Sequence, residues 1–146
     1  MKNLFVTALL TVTLFANSFA AAPKKVNSAI LEHFNAKFKK ASDVTWLVTN
    51  EYTKAAFTAA DTNMEVYYNL NGDIIGTSRS ISLEELPIDA KRNFAKRFAG
   101  YEVKEAIRFE GFDEAAYYIS GENEKENIIL KVNGNNQVSL FKKTKK

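Results

Sequence analysis

The chain contains no cysteine and a single histidine, His33. Without cysteine there is no disulfide to staple the fold, no thiolate to hold a metal, and no lipobox residue to lipidate. One histidine cannot supply the several ligands that zinc needs. His33 sits beside Phe34 in no recognisable motif and reads as a helix-surface residue, not a base. Nucleophilic catalysis requires an activated Ser, Cys or Thr beside such a base, and none is evident. No glycine-rich phosphate cradle occurs. The run "NLNGD" at 69–73 offers oxygens but lacks the spacing and terminal Glu of a calcium loop. Glu84-Glu85 is accounted for by helix capping and the helix dipole. The expectation is a protein that is not an enzyme, with no catalytic residue, no cofactor and no metal.

Charge of one sign is also scarce. The formal net charge is +3, and four of the basic residues lie in the tail Lys142, Lys143, Lys145 and Lys146. The remainder is slightly acidic, so the basic character belongs to a solvated C-terminus. With no basic face and no recognisable module, nucleic-acid binding is not expected.

Long apolar runs are missing except at the start, where one extends from Leu4 to Phe15 after Lys2. It falls well short of the roughly 20 residues that span a bilayer. Ser18 and Ala20 complete a small-residue cleavage pattern. The reading is a signal peptide over 1–20, cut before Ala21, and no membrane span. A periplasmic or secreted domain over 21–146 follows, long enough to bury one core unaided.

Within that domain, Ile30, Phe34, Phe38 and Ala41 form one helical stripe, which Asn27 or Ser28 can cap. Four β-rich runs follow: "VTWLVT", "YTKAAFTAA", "MEVYYNL" and "DIIGTSRS". Ser82 and Glu85 have capping-box spacing for a second helix. Pro87 suits its first turn or a break between two short helices. Phe94 and Phe98 continue the stripe and Gly100 is a candidate C-cap. Four more strand-like runs end near Phe141.

The order helix then four strands thus occurs twice, over about 26–80 and 81–141, leaving a basic tail at 142–146. Phe34 and Phe38 match Phe94 and Phe98, and Ala55–Thr58 matches Ala115–Tyr118, at one offset of 60. Asn71-Gly72 and Asn133-Gly134 match at 62, each read as a tight hairpin turn, with two extra residues assigned to the Gly121–Asn127 turn. The expected fold class is α+β: a tandem repeat of helix and four-stranded antiparallel meander.

Alternation assigns Val44, Trp46, Val48, Ala55, Phe57, Ala59, Val66, Tyr68 and Leu70 to the helix-covered face. Ile107, Phe109, Tyr117, Ile119, Ile128, Leu130 and Val132 are their counterparts. The other face then carries Leu47, Tyr67, Ile75, Arg79, Lys104, Arg108, Tyr118 and Ile129. Tyrosine and arginine together are typical of protein–protein hot spots, although scattered exposed aromatics are also ordinary. A one-residue register slip would exchange the faces.

The patterns "VTW", "Y-x-x-A-x-F", "VYYNLNG", "I-S-x-x-E-L-P" and "Y-x-V-x-x-A" in this order resemble the PepSY-like family. These are small secreted proteins, mainly of Bacteroidetes, similar in architecture to the β-lactamase inhibitory protein. The resemblance spans about Val26 to Phe141. It implies tandem repeats joined into a concave sheet of about eight strands with helices on one face. It suggests inhibition of a β-lactamase or of a peptidase as leads. The functional expectation is a non-catalytic module that binds a protein or peptide partner of the cell envelope. Tyr67, Arg79, Lys104, Arg108, Tyr118 and Ile129 are its candidate contacts. The alternative is a small-ligand-binding or envelope-sensing domain with a pocket between helices and sheet. Oligomeric state is left open.

Overall fold

The computed structural model describes residues 25–146; the expected signal peptide and its cleavage site lie outside the described residues. Helix α1 spans Ser28–Lys37, and Asn27 caps it by accepting the Ala29 amide at 2.9 Å. Strands β1 (Ser42–Val48), β2 (Thr53–Ala59), β3 (Thr62–Tyr68) and β4 (Ile74–Ser80) follow. Ser82 and Glu85 then shape a short 3-10 turn, Leu83–Glu85, with the Glu85 carboxylate accepting the Ser82 amide at 3.1 Å. Pro87 separates that turn from α2, Ile88–Arg97, so it marks the break between two helical pieces. The chain ends in β5 (Glu102–Gly111), β6 (Ala115–Glu122), β7 (Glu126–Val132) and β8 (Val138–Lys145).

The eight strands make one sheet in the order β1 to β8, every neighbour antiparallel. Both helices pack on one face. Under α1, Ile30 and Phe34 bury against Ala55, Phe57, Val66 and Tyr68, with Trp46 and Phe38 beside them. Under α2, Ala90 with Phe94 and Phe98 covers Ala106, Ile119, Leu130 and Val132. The ring centroids of Phe34 lie 5.1 Å from those of both Trp46 and Phe57. Burial of each such aromatic stabilises the fold by about 1.5–3 kcal/mol.

Several expectations need correction. Ile107 and Phe109 do not face the helices. Ser78 pairs with Phe109, and Arg79 with Arg108, which turns the apolar pair to the helix-free side and the arginines to the helix side. At this seam Arg79 is held by Glu85 of the 3-10 turn and Arg108 by Glu110, so charged side chains occupy the helix side there. Leu70 lies beyond β3 in the hairpin turn and is 66% exposed. Phe98, not Gly100, is the C-cap of α2.

The two Asn-Gly dipeptides also differ in position. In the β3–β4 turn, the Asn69 side chain accepts the amides of Asn71 and Asp73, and Gly72 holds the positive φ of 91°. In the β7–β8 turn, the Asn133 side chain accepts the amides of Asn135 and Gln137, and Asn136 holds the positive φ of 61°. The equivalent residues are therefore Asn69 and Asn133, 64 apart, and Gly134 sits where Leu70 does. These are longer side-chain-bridged turns, not two-residue hairpins. Trp46 pairs with Ala55, whereas Ala106, 60 residues further on, pairs with Ile119. The β5–β6 hairpin is thus the longer of the two.

Candidate functional site

The helix-free face is not a solvated polar surface. Tyr52, Tyr67, Ile107, Phe109, Ala116 and Tyr118 form a buried cluster there, with Ile75, Ile129 and Phe141 packed against it. Among the described residues no helix lies over this face. Phe109 is central. Its ring lies across Gly76 and Gly111, which pair with each other on β4 and β5. Glycine at both positions lets the ring approach the backbone.

Beside this aromatic floor is a cleft of about 230 Å³, lined among others by Asp43, Thr45, Asn63, Glu65, Ser78 and Glu105. The pairing explains how strands 1 to 5 bring these residues together. Thr45 is opposite Ala56, Ala56 opposite Glu65, Glu65 opposite Ser78, and Ser78 opposite Phe109, one rung across the sheet. Asp43 joins them from an irregularity in β1, where its φ is 54°.

Glu65 organises the polar wall. It takes the ammonium of Lys54 at 2.7 Å, the Tyr67 hydroxyl at 2.5 Å and the Ser78 hydroxyl at 3.2 Å. The Lys54 side chain is only 3% exposed, and its ammonium also lies 5.9 Å from the Tyr67 ring centroid. Burial, then the Glu65 charge, pushes the Tyr67 phenol far above its ordinary value. Glu105, half-buried, has its carboxyl raised chiefly by burial and further by Glu65, with Lys54 opposing. A carboxylate in that setting is held at a cost.

The residues expected to form the contact surface are dispersed. Tyr67 and Tyr118 are on the helix-free face but only 2% and 0% exposed, so they are its floor. Ile129 packs against that floor. Arg79 is on the helix side, bridging Glu85 at 2.8 Å and holding that carboxyl below its usual range. Arg108 is beside it, 2.8 Å from Glu110, its guanidinium 5.9 Å from the Tyr117 centroid. Lys104 is taken up by Glu102 and Glu122 at 3.0 and 2.8 Å. Of the six, the face thus gathers Tyr67, Tyr118 and Ile129 and excludes both arginines. Thr45, Lys54, Asn63, Glu65, Ser78 and Glu105 were missed, because their meeting depends on the cross-strand register. His33 is exposed on α1, edge-on to Tyr68 with centroids 5.8 Å apart. The described residues hold no group of three or more His, Cys, Asp or Glu side chains arranged for a metal. No described helix is long and apolar enough to cross a membrane.

No protein-family model matches the chain, and no curated protein matches it. Solved structures do match in fold. A DUF2874 family protein from Bacteroides uniformis superposes with a TM-score of 0.72 at 10% identity, over 83% of this chain and 90% of that one. A protein from Bacteroides eggerthii, provisionally described as periplasmic, gives 0.73 at 11% identity, over 83% and 89%. A BLIP-like protein from Bacteroides fragilis gives 0.65 at 17% identity, over 83% and 86%. The likeness at these identities is one of fold: an eight-stranded antiparallel sheet with two helices, resembling the BLIP-like fold.

Proposed function

We propose that the protein is a secreted, non-catalytic binding module that engages a protein or peptide partner of the cell envelope through its helix-free face. The observation that carries this reading is an aromatic floor on a sheet face that no described helix covers, with a cleft beside it. Interfaces set an apolar core within a polar rim, and exposed Thr45 and Asn63 stand with the acids of the cleft beside this floor. The acids of the cleft favour a basic side chain from the partner. Fold likeness to a BLIP-like protein and to one provisionally described as periplasmic agrees with an inhibitory role and an envelope location, although fold alone does not fix function. In the same reading the protein is of the PepSY-like kind, and Val26–Ser80 and Ile81–Phe141 descend from one duplicated unit. Phe34, Phe38, Trp46 and Phe57 pack together under α1, which favours this reading over a small-ligand domain with a pocket between helices and sheet.

The test uses Thr45→Arg/Asn63→Arg, two exposed positions at the cleft rim, beside wild type in capture from the native envelope extract. A captured protein is then purified and titrated against both. Binding by wild type that is weakened tenfold or more by the variant supports the site. Equal binding by both, or no partner for either, overturns it.

A further inference from the structure

β1 and β8 are the two edges of the sheet, and they are defended unequally. β8 bears Lys142, Lys143 and Lys145, with Lys146 just beyond; lysines along an edge prevent pairing with another strand. β1 has neither lysine, arginine nor proline between Ser42 and Val48, and it exposes Val44 by 36% and Leu47 by 43%.

Beyond the irregularity at Asp43, no described strand pairs with the outer side of this edge. The Thr49 amide donates to the Tyr52 carbonyl at 2.9 Å. From there the register steps through Val48–Thr53, Leu47–Lys54, Trp46–Ala55 and Thr45–Ala56. Residues that bond to the neighbouring strand alternate in an antiparallel ladder. Thr45, Leu47 and Thr49 therefore bond toward β2, and the N–H and C=O groups of Trp46 and Val48 point outward. Backbone groups of this kind are obligatory hydrogen-bonding groups, and a strand is what satisfies them in register.

We infer that this edge pairs with β1 of a second copy of the chain, antiparallel, about a two-fold axis through Leu47. In that register Trp46 of each copy is opposite Val48 of the other as a hydrogen-bonded pair, and all the outward groups of these residues are used. The two Leu47 side chains meet as the closer, non-hydrogen-bonded pair on the helix-free face. Trp46 and Val48 extend the apolar layer beneath α1. No charged residue lies within Thr45–Thr49, so these central rungs oppose nothing of their own sign, and Asp43 and Glu51 come opposite only beyond them, whereas the same operation on β8 would bring lysines together. A strand from another protein would be held by the same backbone groups; self-complementarity of side chain and charge favours a second copy, the isologous arrangement of a two-fold dimer. The joined sheet would have twice the eight strands and one continuous helix-free face.

Because the chain has no cysteine, Leu47→Cys gives a clean test on the full domain. Mild oxidation should yield a reducible covalent dimer of Leu47→Cys, whereas Leu140→Cys, 50% exposed on the β8 edge, should remain monomeric. In sedimentation the wild-type mass should rise toward twice the monomer with concentration, and Leu47→Lys should abolish the rise with an unchanged circular dichroism spectrum. Wild type that stays monomeric at every concentration, with Leu47→Cys crosslinking no better than Leu140→Cys, overturns the inference. Capture of a foreign extended peptide by a monomeric wild type overturns it as well, and assigns the edge to that strand.

Discussion

Gly76→Ala tests how the helix-free face is packed. A methyl group built at Gly76 lies 2.8 Å from Cζ and 2.9 Å from Cε2 of Phe109, against about 3.5–4.0 Å for carbon atoms in comfortable contact. The ring must give way by up to about 1 Å, but Tyr118 lies edge-on behind it with centroids 6.5 Å apart. Overpacking of this kind costs about 1–3 kcal/mol. Against it stands the lower unfolded-chain entropy of alanine, worth about 0.4–1 kcal/mol. The net expectation is a loss of about 1–2 kcal/mol, or a melting temperature lowered by about 4–8 °C. Urea denaturation at unchanged m-value measures the free energy. The decisive comparison repeats the substitution in a Phe109→Leu background, where the shorter side chain removes the clash and Gly76→Ala should become neutral or stabilising. If Gly76→Ala stabilises the wild-type protein, or costs the same in both backgrounds, the packing argument is wrong.

Three further outcomes follow from the cleft and the turns. Glu105 holds its proton to a higher pH in the folded than in the unfolded state, so folding binds protons and stability falls as pH rises from the ordinary carboxylate range through the raised folded value. Glu105→Gln should therefore be more stable than wild type at neutral pH and indistinguishable from it well below pH 4, as read by urea midpoints across pH. Lys54→Met leaves Glu65 with no cation and should cost about 3 kcal/mol, with most of it regained in Lys54→Met/Glu65→Gln; a double variant no better than the single would refute the pairing as the cause. Asn69→Ala and Asn133→Ala each remove two side-chain bonds to turn amides and should each lower stability by about 1–2 kcal/mol in denaturant titration.

The sequence made the elements legible because their signals are local. The Phe34–Phe38 and Phe94–Phe98 stripes, the Asn27 cap and the runs of β-formers need only neighbouring residues to be read. The faces of β5 were not legible, since period two separates Ile107 and Phe109 from Arg108 without saying which set points inward. Here both faces bury aromatics, and the usual rule that apolar residues turn toward the helices fails at the seam. Gly76 and Gly111 were a usable sign, because glycine inside a strand marks a close approach. The cleft was invisible for a different reason. Thr45, Glu65, Ser78 and Glu105 come from four strands and meet only through register, which β1, β3–β4 and β5 each shift once. Lys54 gave no warning of its burial beyond its apolar neighbours Ala55 and Ala56.

The strict succession of strands has a mechanical consequence. Each strand bonds only to those before and after it in the chain, so a pull that separates β1 from β8 acts along the interstrand hydrogen bonds and loads them one rung at a time. Among the described residues no strand crosses over to clamp distant parts together. Such a sheet should peel hairpin by hairpin under a small force. A partner that grips the broad face would bridge several strands at once, and single-molecule extension should register its arrival as a higher rupture force.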